Sequence, residues 1–193
     1  MSHALYTTEA IVLGSRNSAE ANRFVTLFTY DHGLIRAVAQ GVRLLRSKLR
    51  YRLYTGARVR VTLVRGREVW RLVGVEEIAR PETMLAFPER FALFVRVSSV
   101  VTRFVQGEEV DLELFHELST LWELLQKKET EQLVLIEVVA VARLLSLLGY
   151  LQSVGEATDQ LFDPLAFEKE GPVAPHEAAL VELINKTLTR VHL

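Results

Sequence analysis

The stretch ARVRVTLVRGREVWRLVGVEE, Ala57–Glu77, limits the fold more than any other part of the chain. Val59, Val61 and Leu63 alternate with Arg58, Arg60 and Thr62, a period of two that a half-buried strand requires and a helix cannot use. Arg65-Gly66-Arg67 breaks the alternation with turn chemistry, which predicts a hairpin with two arginines at its tip. Upstream, TTEAIVLGSR (Thr7–Arg16) is short and rich in β-branched residues, and it is expected to stop at the turn-like Arg16-Asn17-Ser18. FVTLFTYDHGLIRAVAQG (Phe24–Gly41) reads as two strands joined at Asp31-His32-Gly33. About five strands within the first 80 residues leave costly edges unless the sheet closes, so a small barrel is expected.

Pro81 and Pro88 bracket a change from period two to a helical period. Phe91, Phe94, Val95, Ser98, Val101, Thr102 and Val105 share one helical face, and Gly107 ends the run. A second helix starts near Asp111, with Leu114, Phe115, Leu118, Leu121, Trp122 and Leu125 apolar and Lys127 and Lys128 at its C-terminus, where cations are favoured. A third runs from near Thr130 to Gly149, apolar nearly all round and therefore central. Gln152–Pro175 reads as loop, and a last helix begins near Pro175 with Ala179, Leu180, Leu183, Ile184 and Leu188 facing inward. The expected fold is α+β: a five-stranded barrel over residues 1–80 and an all-α domain over 81–193.

Composition removes several classes of function. Hydrophobic residues are 49% and charged residues 24% of the 193, values of a globular chain with a real core. There is no cysteine, hence no disulfide, thiolate metal site or cysteine nucleophile. MSHALYTTEA has no apolar signal core, and the most apolar run, Leu133–Leu148, is interrupted by Glu137 and Arg143 and is short for a membrane span. The five histidines lack metal-ligand spacing, and neither a phosphate-binding G-x-x-x-x-G-K-[ST] loop nor a G-x-S-x-G elbow occurs. No catalytic residue, metal site or cofactor is expected, and the chain reads as a binding protein.

The formal net charge of −1 conceals an asymmetry. Residues 1–80 hold 14 basic and 6 acidic side chains, a surplus of +8; the rest hold 9 and 18, a deficit of −9. The basic charge is densest in GVRLLRSKLRYRL (Gly41–Leu53), and no acidic residue occurs between Asp31 and Glu68. Such a concentration suits a polyanion. A barrel carrying a row of arginines with interleaved aromatic rings is a design for binding single strands: cations follow phosphates and rings stack on bases. Tyr51, Tyr54 and Trp70 are the stacking candidates. Against this stands the plainer reading that the arginines form a solvated face and the rings pack in the core. Arg58 and Arg60 lie within reach of Glu68, Glu76 and Glu77 across the hairpin and are weaker candidates.

TEAIVL (Thr8–Leu13), NRFVTLFTYDHG (Asn22–Gly33), AQGVRLLRSKL (Ala39–Leu49), the Arg65-Gly66-Arg67 hairpin and RLLSLLGY (Arg143–Tyr150) together resemble the RecO family of bacterial DNA repair proteins, over roughly residues 5–150. The resemblance implies an N-terminal OB-fold followed by a helical domain. It also implies binding of single- and double-stranded DNA, annealing of complementary strands, recombinase loading with RecR, contact with the acidic C-terminal tail of single-strand binding protein, and a cytoplasmic, nucleoid-associated location. Arg43, Arg46 and Lys48 match the family's basic element and are the first choices for phosphate contact, with Arg36, Arg50, Arg52, Arg65 and Arg67 as the wider DNA-binding set. Arg23 matches a family arginine that a turn could hold for structural reasons. Arg90, Arg96 and Arg103, spaced by six and seven on one helix, form a candidate groove for the partner tail. Many relatives carry a four-cysteine zinc site after the Gly-Tyr matching Gly149-Tyr150; this chain has no cysteine, so no zinc is expected there. The rival readings are an OB-fold that binds RNA and an adaptor whose basic barrel docks an acidic protein.

Overall fold

A computed structural model describes residues 4–18, 22–40, 52–67, 69–105, 107–127, 133–151 and 177–190. Two compact units are present, Met1–Gln126 and Lys127–Leu193. The first contains five strands: β1 (Leu5–Ser18), β2 (Asn22–Thr29), β3 (Gly33–Ala39), β4 (Arg58–Arg65) and β5 (Trp70–Ala79). It also contains three helices: α1 (Glu82–Ala86), α2 (Pro88–Phe104) and α3 (Leu112–Gln126). Period two thus gives way to a helical period at Pro81, while the compact unit extends on through α3.

The strands close into a barrel in the order β1-β2-β3-β5-β4, an OB-type arrangement. Strand β1 is long enough to serve both sides of the ring. Its first half pairs with β4 (Leu5↔Val64 to Ile11↔Arg58) and its second half with β2 (Ala10↔Thr29 to Ser18↔Asn22). A shift of register between Val12 and Gly14 bends it between the two partners. Arg16-Asn17-Ser18, expected to be a turn, continues the strand opposite Phe24-Arg23-Asn22. The cross-strand partners of these polar residues lie downstream and are not visible from β1 alone. The ring is completed by a short parallel seam, Ala37–Ala39 against Trp70–Leu72.

Alternation decides what the barrel encloses. Ala10, Val12, Val25, Leu27, Ile35, Ala37, Val59, Val61, Leu63 and Leu72 are buried inside it. The outward residues of β1 and β2 divide in two. Ile11 and Phe28 are fully buried, and Phe28 meets Phe115 of α3 at 5.8 Å. Gly14, Arg16, Phe24 and Thr26 border open hollows instead. Helix α3 is capped by Asp111, whose Oδ1 accepts from the Leu114 N–H at 2.9 Å. It is pinned to the barrel by Trp122, whose Nε1 donates to the Gly56 carbonyl at 2.6 Å. The segment before it crosses Gly33 so closely that a Cβ there would overlap the Glu109 carbonyl, and Gly33 also has φ +61°, so glycine is required twice over.

The second unit contains α4 (Leu133–Leu147) and α5 (Glu177–Arg190). Helix α4 ends as the sequence predicts, at Gly149 with φ +76°; the Tyr150 N–H returns to the Leu145 carbonyl and the Gly149 N–H to Ser146. Among the described residues no helix is long and apolar enough to cross a membrane, and no cluster of His, Asp and Glu could hold a metal ion.

Candidate nucleic-acid interface

The outer face of β1, β2 and β3 gathers basic side chains in cross-strand rows. Gly14, Thr26 and Arg36 lie side by side in one row, and Arg16 and Phe24 in the next. The guanidinium of Arg16 lies over the Phe24 ring, 5.3 Å from its centroid. Arg16, Phe24 and Arg36 border a hollow of about 320 Å³. A second hollow of about 290 Å³ shares Gly14 and Thr26 with the first and continues to α2, where Val95, Ser99, Thr102 and Arg103 form its other wall. Among the described residues no acidic side chain lines either hollow. Among the described residues no carboxylate pairs with Arg16, Arg36 or Arg103.

Other arginines of the barrel are occupied. Arg58 bonds Glu123 at 2.9 Å, Arg60 bonds Glu9 at 3.2 Å and Glu76 at 3.3 Å, and Arg80 bonds Glu77 at 2.7 Å. Arg60 therefore meets Glu76 across the hairpin, as its strand face predicts, whereas Arg58 turns to α3. Arg65 bonds Glu108 at 3.2 Å and lies 5.5 Å from the centroid of Trp70. The other oxygen of the same carboxylate accepts from the indole N–H of Trp70 at 2.7 Å.

The residues singled out by sequence fall into three groups. Arg43, Arg46, Lys48, Arg50 and Tyr51 lie outside the described residues. Arg36 and Arg67 are exposed on the barrel. Arg52, Tyr54 and Trp70 are tied into the structure. Arg52 donates to the Val75 carbonyl at 2.8 Å. The Tyr54 hydroxyl donates to Glu77 at 3.2 Å, and burial together with the Glu77 charge pushes its pKa up to about 12. Trp70 is 4% exposed, with Tyr6 and His32 packed around it at 5.3 and 5.7 Å. Arg23 donates to the Leu53 carbonyl at 3.3 Å, a structural contact.

The three helix arginines separate by the geometry of α2. Seven residues return to nearly the same side of a helix, so Arg96 and Arg103 are both exposed; six residues do not, and Arg90 is 5% exposed, donating to the Leu125 carbonyl with its guanidinium over Phe87. Sequence reading did not select Arg16, Phe24 or Gly14. The outward alternation of Phe24 and Thr26 was the available signal; the turn assigned to Arg16 concealed its partner.

Residues 1–80 match the family model described as the N-terminal region of recombination protein O. Over 76 residues the chain is 42% identical to the DNA repair protein RecO of Bifidobacterium longum subsp. infantis. That match covers 39% of this chain and 32% of the relative, so the chain spans about a third of the relative's length.

Proposed function

We propose that the chain binds DNA in repair and recombination, with the outer face of β1, β2 and β3 as its contact surface; the match of its first 80 residues to the N-terminal region of recombination protein O supports this reading. One observation carries the reading: Arg16, Arg36 and Arg103 border a continuous groove that no acidic side chain among the described residues enters, while Arg58, Arg60, Arg65 and Arg80 are each held by carboxylates. An unpaired guanidinium on an open face is available to phosphate; a paired one must first give up its carboxylate. Arg67 is exposed at the hairpin tip and is a further candidate contact, as are Arg43, Arg46, Lys48 and Arg50, which lie outside the described residues.

The mechanism needs no covalent step. Cations screen the repulsion between two phosphate backbones, and a groove that holds one strand leaves base edges free to pair with a second. Annealing of complementary strands and recombinase loading with a RecR-like partner extend this reading, as does docking of the single-strand binding protein's acidic tail on the exposed Arg96–Arg103 side of α2. With domains at 1–80 and 81–193, most of the DNA contact falls in the first, and α2 of the second closes the groove and carries the partner contact. The chain acts as a mediator and not as an enzyme.

Fluorescence anisotropy with a labelled 20-nucleotide single strand, titrated at several salt concentrations, tests the reading. Binding with a log–log salt slope of about 3 to 4, some 0.7 for each of about five neutralised phosphates, is expected. No binding at low salt would overturn it. Tighter binding to RNA of the same sequence would favour the RNA reading instead.

A further inference from the structure

We propose that the two hollows joined at Gly14 form a subsite that takes unpaired bases, so that this face distinguishes single-stranded from double-stranded DNA. The inference rests on the DNA-binding reading above and assigns chemistry within it.

The groove has two unlike lobes. On the strand side, the Arg16 guanidinium lies over the Phe24 ring, 5.3 Å from its centroid, next to a hollow of about 320 Å³. Bases stack on aromatic rings and on guanidinium planes without regard to sequence, because every base has a π-face. On the helix side, a hollow of about 290 Å³ has an apolar wall in Leu13 and Val95, and Val95 is 39% exposed, an apolar surface a base could cover. Ser99 and Thr102 donate their hydroxyl protons to the carbonyls of Arg96 and Ser98, so their oxygens remain free to accept from a base N–H. Arg36 lines one lobe and Arg103 the other, and among the described residues no acidic side chain lines either. Charge therefore selects an anionic chain as the occupant, and the apolar and aromatic walls select one whose bases are exposed.

Gly14 is the floor where the lobes meet. A Cβ built on it meets nothing within 4 Å, and its φ lies outside the left-handed region. Neither backbone conformation nor packing demands glycine here. A side chain would simply stand up into the groove. A duplex keeps its bases stacked and paired, so it can use the arginines and not the lobes.

The test compares wild type, Gly14→Leu and Phe24→Leu on a labelled 20-nucleotide single strand and on a duplex of equal length, with circular dichroism and thermal unfolding as the check on folding. The expected result is a loss on the order of tenfold on the single strand for each variant, the scale of one stacked base, with duplex affinity within about twofold. Equal losses on both substrates, or no loss on either, would overturn the subsite while leaving DNA binding intact. Wild-type protein that binds neither substrate would remove the DNA reading and the subsite together. Phe24→Leu keeps an apolar strand residue and removes only the ring, so it carries the test if Gly14→Leu does not fold.

Discussion

Arginines on the two sides of the barrel have different neighbours. Each arginine of β4 has a carboxylate: Glu9 comes from β1, Glu76 from β5, Glu108 from the segment before α3, and Glu123 from α3 itself. Around β1, β2 and β3 the hollows contain none among the described residues. The difference shows that local arginine density is a poor guide to a binding surface. What matters is whether the fold brings acids to the same face, and those acids come from far along the chain. Exposed pairs of this kind add only ~0.2–1 kcal/mol each to stability, yet they neutralise the charge that a phosphate would otherwise meet.

The comparison breaks most directly if both arginine sets are removed in turn. Arg16→Ala, Arg36→Ala and Arg103→Ala combined are expected to reduce DNA affinity on the order of tenfold or more at low salt and to lower the salt slope by about 2, at ~0.7 per phosphate. Anisotropy titrations measure both. A contrast within α2 comes next. Arg90→Ala removes a buried donor from the Leu125 carbonyl and should cost about 1–3 kcal/mol in urea unfolding, with DNA affinity unchanged at permissive temperature. Glu108→Gln releases Arg65 from its partner and is expected to raise the salt slope by up to about 0.7, turning one occupied arginine into a free one. The smallest change is Arg60→Ala, expected to leave DNA affinity within about twofold and stability within ~1 kcal/mol.

Tyr54 sharpens the contrast by pH. Its folded pKa of about 12 lies above the ordinary 10.0, so the neutral phenol is favoured by folding. That contribution is complete below about pH 10 and disappears as pH rises towards 12, when the folded protein too must ionise the phenol beside Glu77. A tyrosinate absorbance titration should show one group with a midpoint near 12, missing in Tyr54→Phe.

Much of the fold was legible because it depends on local patterns. Alternation at Val59, Val61 and Leu63 placed β4, and Pro81 marked the change to helices. Asp111 was recognisable as a helix start, and Gly149 as a helix end. The site was less legible because it depends on pairs. Trp70 has the composition of a stacking residue, but its fate is decided by Glu108, 38 positions away. Arg16 looked like part of a turn because its register partner, Phe24, sits on the next strand. Arg90 and Arg103 are the same residue type on the same helix; the turn of the helix alone separates a buried anchor from an exposed cation.

The closed barrel has a consequence for its slow motions. A ring of strands opens at its shortest seam, and here that seam is the three-residue parallel contact of Ala37–Ala39 with Trp70–Leu72. Amides there should exchange with solvent through a local opening, while those of the long β1–β2 ladder wait for global unfolding. Every other strand boundary is sealed along most of its length, so the stretches of β3 and β5 beyond that seam offer a peptide the longest facing pair of unpaired main-chain edges among the described strands.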